Sequence, residues 1–403
     1  MNTPELAREK IDLYHTIRDG VGLTKNPERS HNWSLELLSI LRGTPIIGPE
    51  GMKQIRKWCH FPDLESEIQV GNFHLGELSM DYPVGTAAGL FKRADKVPWE
   101  LFQEGGMQVG FVTVGCSLHE QPWNPKPRHF SFPNKGGDGG SGINRYGLNN
   151  LWAQSTVDAL ELARRQNRVP RGLLVIANIF NGLHTLDISK PWELWCITQT
   201  LIDQVDAIEL NISCPNQAGG KWMQEKIDLL IRALKFVKAE AKGKPIFLKI
   251  SPDTDEATLK LIIDATKDLV TGYSSTNTTT DPIIRRGILE REWYWDLIGT
   301  AVDTLDPKKD HGKITLLSGG ISGDALLPKQ LSITKLIREL APNHAIIGIG
   351  GIGDEESAEK TIISGANALA IYSRLALDGV GATALANLWA GRAMEILRQK
   401  NPI

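Results

Sequence analysis

From residue 83 onward, short apolar runs alternate with longer stretches whose apolar residues recur at helical spacing. The runs cover 83–88, 109–115, 173–178, 207–213, 246–251, 270–278, 345–350 and 368–373. Eight strand–helix units in succession predict an α/β fold, a (β/α)8 TIM barrel. A doubly wound open sheet is the rival, but its G-x-G-x-x-G fingerprint is missing after the first strand. The run Gly348-Ile349-Gly350-Gly351-Ile352-Gly353 resembles that fingerprint only superficially and falls near the seventh strand.

Ahead of the barrel, residues 1–66 read as a small helical extension and 67–403 as the barrel itself. Residues 32–41 place four leucines and one isoleucine at helical spacing and stop before Gly43 and Pro45. A second short helix is expected over 49–58. Residues 67–80 read as a hairpin turning at Gly71-Asn72. Two long insertions interrupt the barrel pattern. Residues 118–149, after strand 2, are rich in Pro, Gly and Asn. Residues 281–313, after strand 6, are strongly charged and hold Trp293 and Trp295. Long loops after barrel strands are where such folds build their sites.

Composition narrows the function. Lys and Arg total 45 against 47 Asp and Glu, a formal net charge of -2, so bulk charge supplies no reason to bind nucleic acid. The four cysteines, Cys59, Cys116, Cys196 and Cys214, form no C-x-x-C pair and no disulfide scaffold. The N-terminus mixes acids and bases and lacks the apolar centre of a signal peptide. No run of about 18 apolar residues suggests a membrane span.

The strand ends carry the chemistry. In order they offer Ala87-Ala88-Gly89 with Lys92, then Gly115-Cys116, Asn178, Asn211 to Asn216, Lys249, Thr276-Asn277-Thr278, Gly350-Gly351 and Tyr372-Ser373. Acidic metal ligands and a His cluster are absent from this set, which argues against a metal hydrolase; no metal is expected. Amide side chains both donate and accept, matching the alternating edges of a flavin or pyrimidine ring. A lysine suits a carboxylate, or the negative charge of a reduced flavin. Glycines after the last strands suit a phosphate held by backbone N–H groups. Each feature alone has a plainer reading: Gly350-Gly351 as a tight turn, an Asn as a cap, Lys249 as a snorkelling chain, Cys214 as a small buried hydrophobe. Their co-occurrence points to a planar phosphate-bearing cofactor beside a planar anion.

These motifs together resemble the dihydroorotate dehydrogenase family over nearly the whole chain from about residue 26. Ala87 to Lys92 is similar to A-A-G-x-x-K, Asn124 to Arg128 to N-P-x-P-R, and Ile143 to Asn149 to I-N-R-x-G-[FL]-N. Asn211 to Asn216 is similar to N-x-S-[SC]-P-N, Thr276 to Thr279 to T-N-T-T, and Ser318 to Gly323 to the family's G-G-[LI]-S-G segment. Asn26 to His31 resembles the D-P-E-x-x-H that opens the membrane-associated class 2 enzymes, with Asn in place of Asp.

The resemblance implies FMN as cofactor, held by Ala87, Ala88, Gly89, Gly115, Asn178, Asn211, Lys249, Thr276, Ser322, Gly323, Gly350, Gly351, Tyr372 and Ser373. It implies a dihydroorotate/orotate site in which Lys92 and the backbone near Gly147 and Leu148 meet the carboxylate. Asn144, Asn211, Asn216, Asn277 and Thr278 then meet the ring edges. Catalysis is assigned to Lys92 and to Cys214, which stands at the family's base position. Class 2 enzymes usually carry Ser there and class 1 enzymes Cys. A thiol, with a reference pKa near 8.5, is the better base at neutral pH.

Other departures are Phe91 for the usual Asp, Cys116 for a common Ser, and the loop Gln217 to Trp222. The class 2 likeness implies a quinone acceptor reached through the N-terminal helices. Leu35, Leu37, Leu38, Ile40 and Leu41 offer one apolar face, and Ile46, Ile47, Met52 and Ile55 another. Lys53, Arg56 and Lys57 suit anionic headgroups. The expected location is peripheral, on the cytoplasmic side of a membrane. The alternatives are a soluble cytoplasmic class 1-like enzyme using fumarate or a nicotinamide partner, and an FMN oxidoreductase for another dihydropyrimidine.

Overall fold

The computed structural model describes residues 2–20, 38, 40, 44, 47–117, 128–132, 140–145, 152–180, 192–213, 226–289 and 319–400. The chain opens with helix α1 (Thr3–Gly20), then α2 (Ile47–Cys59) and the single turn α3 (Leu64–Glu67). Of the helix expected over 32–41, only Leu38 and Ile40 lie within the described residues, both helical. The expected 49–58 helix is α2, longer by two residues at its start and one at its end.

A small antiparallel hairpin follows, β1 (Phe73–Leu75) and β2 (Leu78–Met80), paired Leu75 to Leu78. Its turn is therefore Gly76-Glu77 and not the expected Gly71-Asn72. Gly71 and Gly76 both take positive φ, at 80° and 64°, so both suit a turn and local sequence does not separate them. The choice falls to burial, because Phe73, Leu75 and Met80 pack into the core from the strands that Gly76 joins.

The eight expected strands form the barrel: β3 (Val84–Phe91), β4 (Phe111–Ser117), β7 (Leu174–Ile179), β8 (Ala207–Asn211), β9 (Ile246–Ile250), β10 (Gly272–Ser275), β12 (Ala345–Ile349) and β13 (Ala368–Ile371). All adjacent pairs are parallel and the sheet closes in the order β10-β12-β13-β3-β4-β7-β8-β9. Their runs are apolar and β-branched, and most of their residues are buried. Outer helices include α4 (Ala153–Arg165), α5 (Trp192–Leu201), α6 (Ile227–Glu240), α7 (Glu256–Thr266), α8 (Pro282–Leu289), α9 (Leu327–Leu340) and α10 (Glu355–Ile363). Asp255 caps α7 by accepting from Thr258 N, and Asp354 forms a capping box with Ser357 on α10. The chain ends with the short α11 (Ser373–Asp378) and the long α12 (Val380–Lys400).

Two features lie outside the simple barrel. The described parts of the strand 2 insertion form β5 (Arg128–Phe132) and β6 (Ser141–Arg145), which pair antiparallel. Strand β11 (Gly320–Gly323), far along the chain, adds to β6 with Gly320 opposite Asn144. Two motifs 176 positions apart thus share one small sheet. The second feature is α1, which lies along α12. Ala7 is fully buried there, and a Cβ on Gly381 would meet the Ala7 carbonyl at 2.5 Å. Glycine at 381 lets the two helices approach this closely.

Candidate active site

Parallel strands of a closed barrel all point their C-terminal ends the same way, so residues distant in sequence meet at one mouth. Here they line a cleft with an empty volume of about 1060 Å³, including its open side. Every described residue assigned above to the cofactor or the substrate lines it. Ala87, Ala88, Gly89 and Lys92 come from β3 and its exit, and Gly115 from β4. Asn178 and Asn211 close β7 and β8, and Lys249 lies on β9. Thr276, Asn277 and Thr278 follow β10. Gly350 and Gly351 follow β12, and Tyr372 and Ser373 follow β13. Asn144, Ser322 and Gly323 arrive from the small sheet. Cys214, Asn216, Gly147 and Leu148 lie outside the described residues, as do Tyr146 and the loop 217–222.

The cleft has two chemically different ends. At one, amides and hydroxyls form a mutually fixed set. Asn277 Nδ2 donates to Asn211 Oδ1 at 3.2 Å and to Ser213 Oγ at 3.0 Å, while Ser213 N donates to Asn211 Oδ1 at 3.1 Å. Thr278 N donates to Asn277 Oδ1 at 2.9 Å. Interlocked amides have few rotamers left, so their free edges are presented in fixed directions. Deeper in the barrel, Asn178 is wholly buried and its Oδ1 has no hydrogen-bond partner among the described residues. An orphaned buried acceptor on a cleft wall calls for a ligand N–H or a water.

At the other end, backbone replaces side chains. Gly350 and Gly351 take φ of 122° and 73°, and a Cβ at 351 would meet Leu327 Cβ at 2.7 Å. Only glycine lets the chain turn there under the start of α9. Ser373 Oγ donates to Ser322 Oγ at 3.0 Å, tying the β13 exit to β11. Glycine amides and serine hydroxyls at one place suit an anion such as phosphate.

Several residues that sequence reasoning passed over complete the site. Glu209 on β8 is almost wholly buried; its Oε1 accepts from Asn178 Nδ2 at 2.6 Å and from Lys249 Nζ at 3.4 Å. Alternation along 207–211 with Asn211 already marked is the signal that would have found it, two positions earlier on the same face. Arg374, Leu326, Ile349, Ile352, Ala370 and Ile371 also line the cleft. Cys116, noted as a departure from the family pattern, lies on the wall too. Among the described residues no group of His, Cys, Asp and Glu is placed to hold a metal ion.

Fold and cleft together define a (β/α)8-barrel protein whose polar mouth suits a planar, hydrogen-bonding ligand with an anionic end. Comparison makes this specific. A family model described as dihydroorotate dehydrogenase matches residues 73–288. The chain is 30% identical over 354 residues to the dihydroorotate dehydrogenase (quinone) of Crocosphaera subtropica, covering 86% of this chain and 85% of that one. It is 29% identical over 386 residues to the enzyme of the same name from Trichodesmium erythraeum, covering 92% of each. A crystal structure of DHODH from Eimeria tenella in complex with ferulenol shares the fold, with a TM-score of 0.67 at 22% identity over 93% of this chain and 92% of that one. The chain belongs to the dihydroorotate dehydrogenase family, and membership implies a flavin.

Proposed function

We propose that this protein oxidises dihydroorotate to orotate in pyrimidine biosynthesis, with FMN as its flavin and a quinone as the final electron acceptor. The observation that carries the reading is the single cleft into which the barrel gathers the strand-end residues, in a chain whose curated relatives bear the name dihydroorotate dehydrogenase (quinone).

The residues fit FMN. Asn178, with its orphaned Oδ1, and Lys249 face the ring, and Ala87, Ala88, Gly89, Gly115, Asn211 and Thr276 surround it. Ser322, Gly323, Gly350, Gly351, Tyr372 and Ser373 hold the phosphate. When bound, FMN supplies the two-electron acceptor. Lys92 binds the substrate carboxylate, with the backbone near Gly147 and Leu148. Asn144, Asn211, Asn216, Asn277 and Thr278 fix the ring edges and so orient the carbon that loses its proton. Cys214 takes that proton as thiolate, becoming a thiol, and later releases it to water.

The first 66 residues form the acceptor entrance in this reading. No helix among the described residues is long and apolar enough to cross a membrane, so contact with a bilayer would be peripheral and on its cytoplasmic side. In α2, Met52 is buried while Lys53 is exposed, which suits a helix with one apolar face and cationic residues on another.

The test is anaerobic. The purified protein is expected to be yellow and to bleach rapidly on addition of dihydroorotate, and a short-chain quinone should then restore the colour. A yellow protein that does not bleach would reject the substrate. One that bleaches but is reoxidised only by fumarate or a nicotinamide would reject the quinone.

A further inference from the structure

Helix α1 meets the C-terminal half of α11, whose first residues, Ser373 and Arg374, line the cleft. Tyr14 Oη donates to the carbonyl of Ala376 at 2.9 Å, and His15 Nε2 lies 2.8 Å from Asp378 Oδ1. Between α11 and α12 the chain bends at Gly379, with φ of 69°, and a Cβ there would meet the Tyr14 ring at 3.0 Å. The tyrosine therefore packs directly on the bend.

The same Asp378 that meets His15 accepts from Arg374 Nη1 at 2.6 Å. Arg374 Nε donates to Asp324 at 3.1 Å, and its Nη2 lies 3.6 Å from Asp354. Arg374 lines the cleft beside Ser373, at the end where glycine amides and serine hydroxyls gather. One guanidinium among three carboxylates is held in a fixed orientation but is outnumbered in charge. The His15 contact takes up the remaining oxygen of Asp378 and so fixes the carboxylate that anchors Arg374.

We propose that α1 is a positioning element for the phosphate end of the cofactor, holding Ser373 and Arg374 in place through the Tyr14–Ala376 and His15–Asp378 contacts. The proposal rests on the reading of the cleft as an FMN site. If α1 docking and phosphate binding share this segment, each strengthens the other by the same factor. Riboflavin, which has the same ring and no phosphate, bypasses the link.

The experiment titrates the full chain, freed of flavin, with FMN and with riboflavin, following flavin fluorescence. His15→Ala is expected to weaken FMN by roughly fivefold or more while leaving riboflavin affinity unchanged. His15→Gln, which keeps a donor for Asp378, should recover most of the loss. Tyr14→Phe, a milder change, should weaken FMN selectively as well and serves if His15→Ala does not fold. In hydrogen exchange, FMN but not riboflavin should slow the amides of α1. Equal weakening of both flavins, or unchanged FMN affinity in Tyr14→Phe and His15→Ala, would overturn the role of α1. A wild-type chain that binds neither flavin would overturn the cofactor reading, and this proposal with it.

Discussion

Glu209 and Lys249 lie on neighbouring barrel strands, with Nζ and Oε1 3.4 Å apart and side chains only 2% and 4% exposed. Glu209 also accepts from Asn178 at 2.6 Å, so one carboxylate orients both groups that face the proposed ring. A buried charge without its partner is costly. Glu209→Ala is expected to lower stability by about 3–5 kcal/mol in urea unfolding of the flavin-free protein. A loss under about 1 kcal/mol, the range of exposed pairs, would mean that Lys249 does not depend on the pair.

The proposed chemistry separates into binding and proton transfer. Cys214→Ala should slow anaerobic flavin reduction by about 10²–10⁴-fold while the protein stays yellow. Lys92→Met should instead weaken dihydroorotate binding by roughly ten- to a hundredfold, the worth of a charge-assisted hydrogen bond. Stopped-flow reduction at several dihydroorotate concentrations distinguishes the two. Fast reduction in the Cys214 variant would remove that residue from the mechanism.

Lys329 on α9 clamps the loop that carries Asn277 and Thr278. Its Nζ is 2.8 Å from both Asp253 and Asp281, and Asp253 also accepts from Thr279 Oγ1 and from Thr280 N. Burial disfavours the charged form of Asp253, but the hydrogen bonds from Lys329, Thr279 and Thr280 outweigh it and hold its carboxyl below the usual range. A depressed carboxylate stabilises the fold above its unfolded pKa, and that stability is lost as pH falls through the folded value. Lys329→Met should cost about 1–3 kcal/mol at pH 7, with the deficit narrowing toward pH 3. The Michaelis constant for dihydroorotate should rise more than the turnover falls, because the variant loosens a loop and removes no reacting group.

Asp324 behaves oppositely. Burial pushes its carboxyl up to about 6, against the pull of Arg374 and with Asp354 and Asp378 adding to the rise. Between about pH 4 and 6 the folded protein then binds more protons at this site than the unfolded chain does, so stability at this site falls as pH rises through that window. In Asp324→Asn this dependence disappears. The wild-type stability minus that of the variant should drop by up to about 3 kcal/mol from pH 4 to pH 6, read from urea unfolding at each pH. A flat difference would show that folding does not raise the Asp324 carboxyl.

The barrel strands were legible because a buried parallel strand must be an apolar run, and a run between helical stretches states its own type. The hairpin turn was not, because Gly71 and Gly76 are equally able to take positive φ and only the burial of Phe73 and Leu75 decides between them. Lys92, Asn211 and Thr276 to Thr278 announced themselves because strand ends that face a cleft carry polar residues where apolar ones would serve the fold. Strand alternation puts Glu209 on the face of Asn211, but neither it nor Arg374, a single Arg opening a helix, carries a local mark of which distant residue it will meet.

By itself, then, the sequence determined the elements and the kinds of groups at their ends, through spacing, turn chemistry and polarity that act over a few residues. The tertiary structure alone decided which distant groups touch. It set Asn144 opposite Gly320, joined Glu209 to Lys249 and Asn178, and laid α1 against α11 so that His15 reaches Asp378. Those contacts depend on closure of the barrel and on the packing of helices around it, which no stretch of sequence expresses locally.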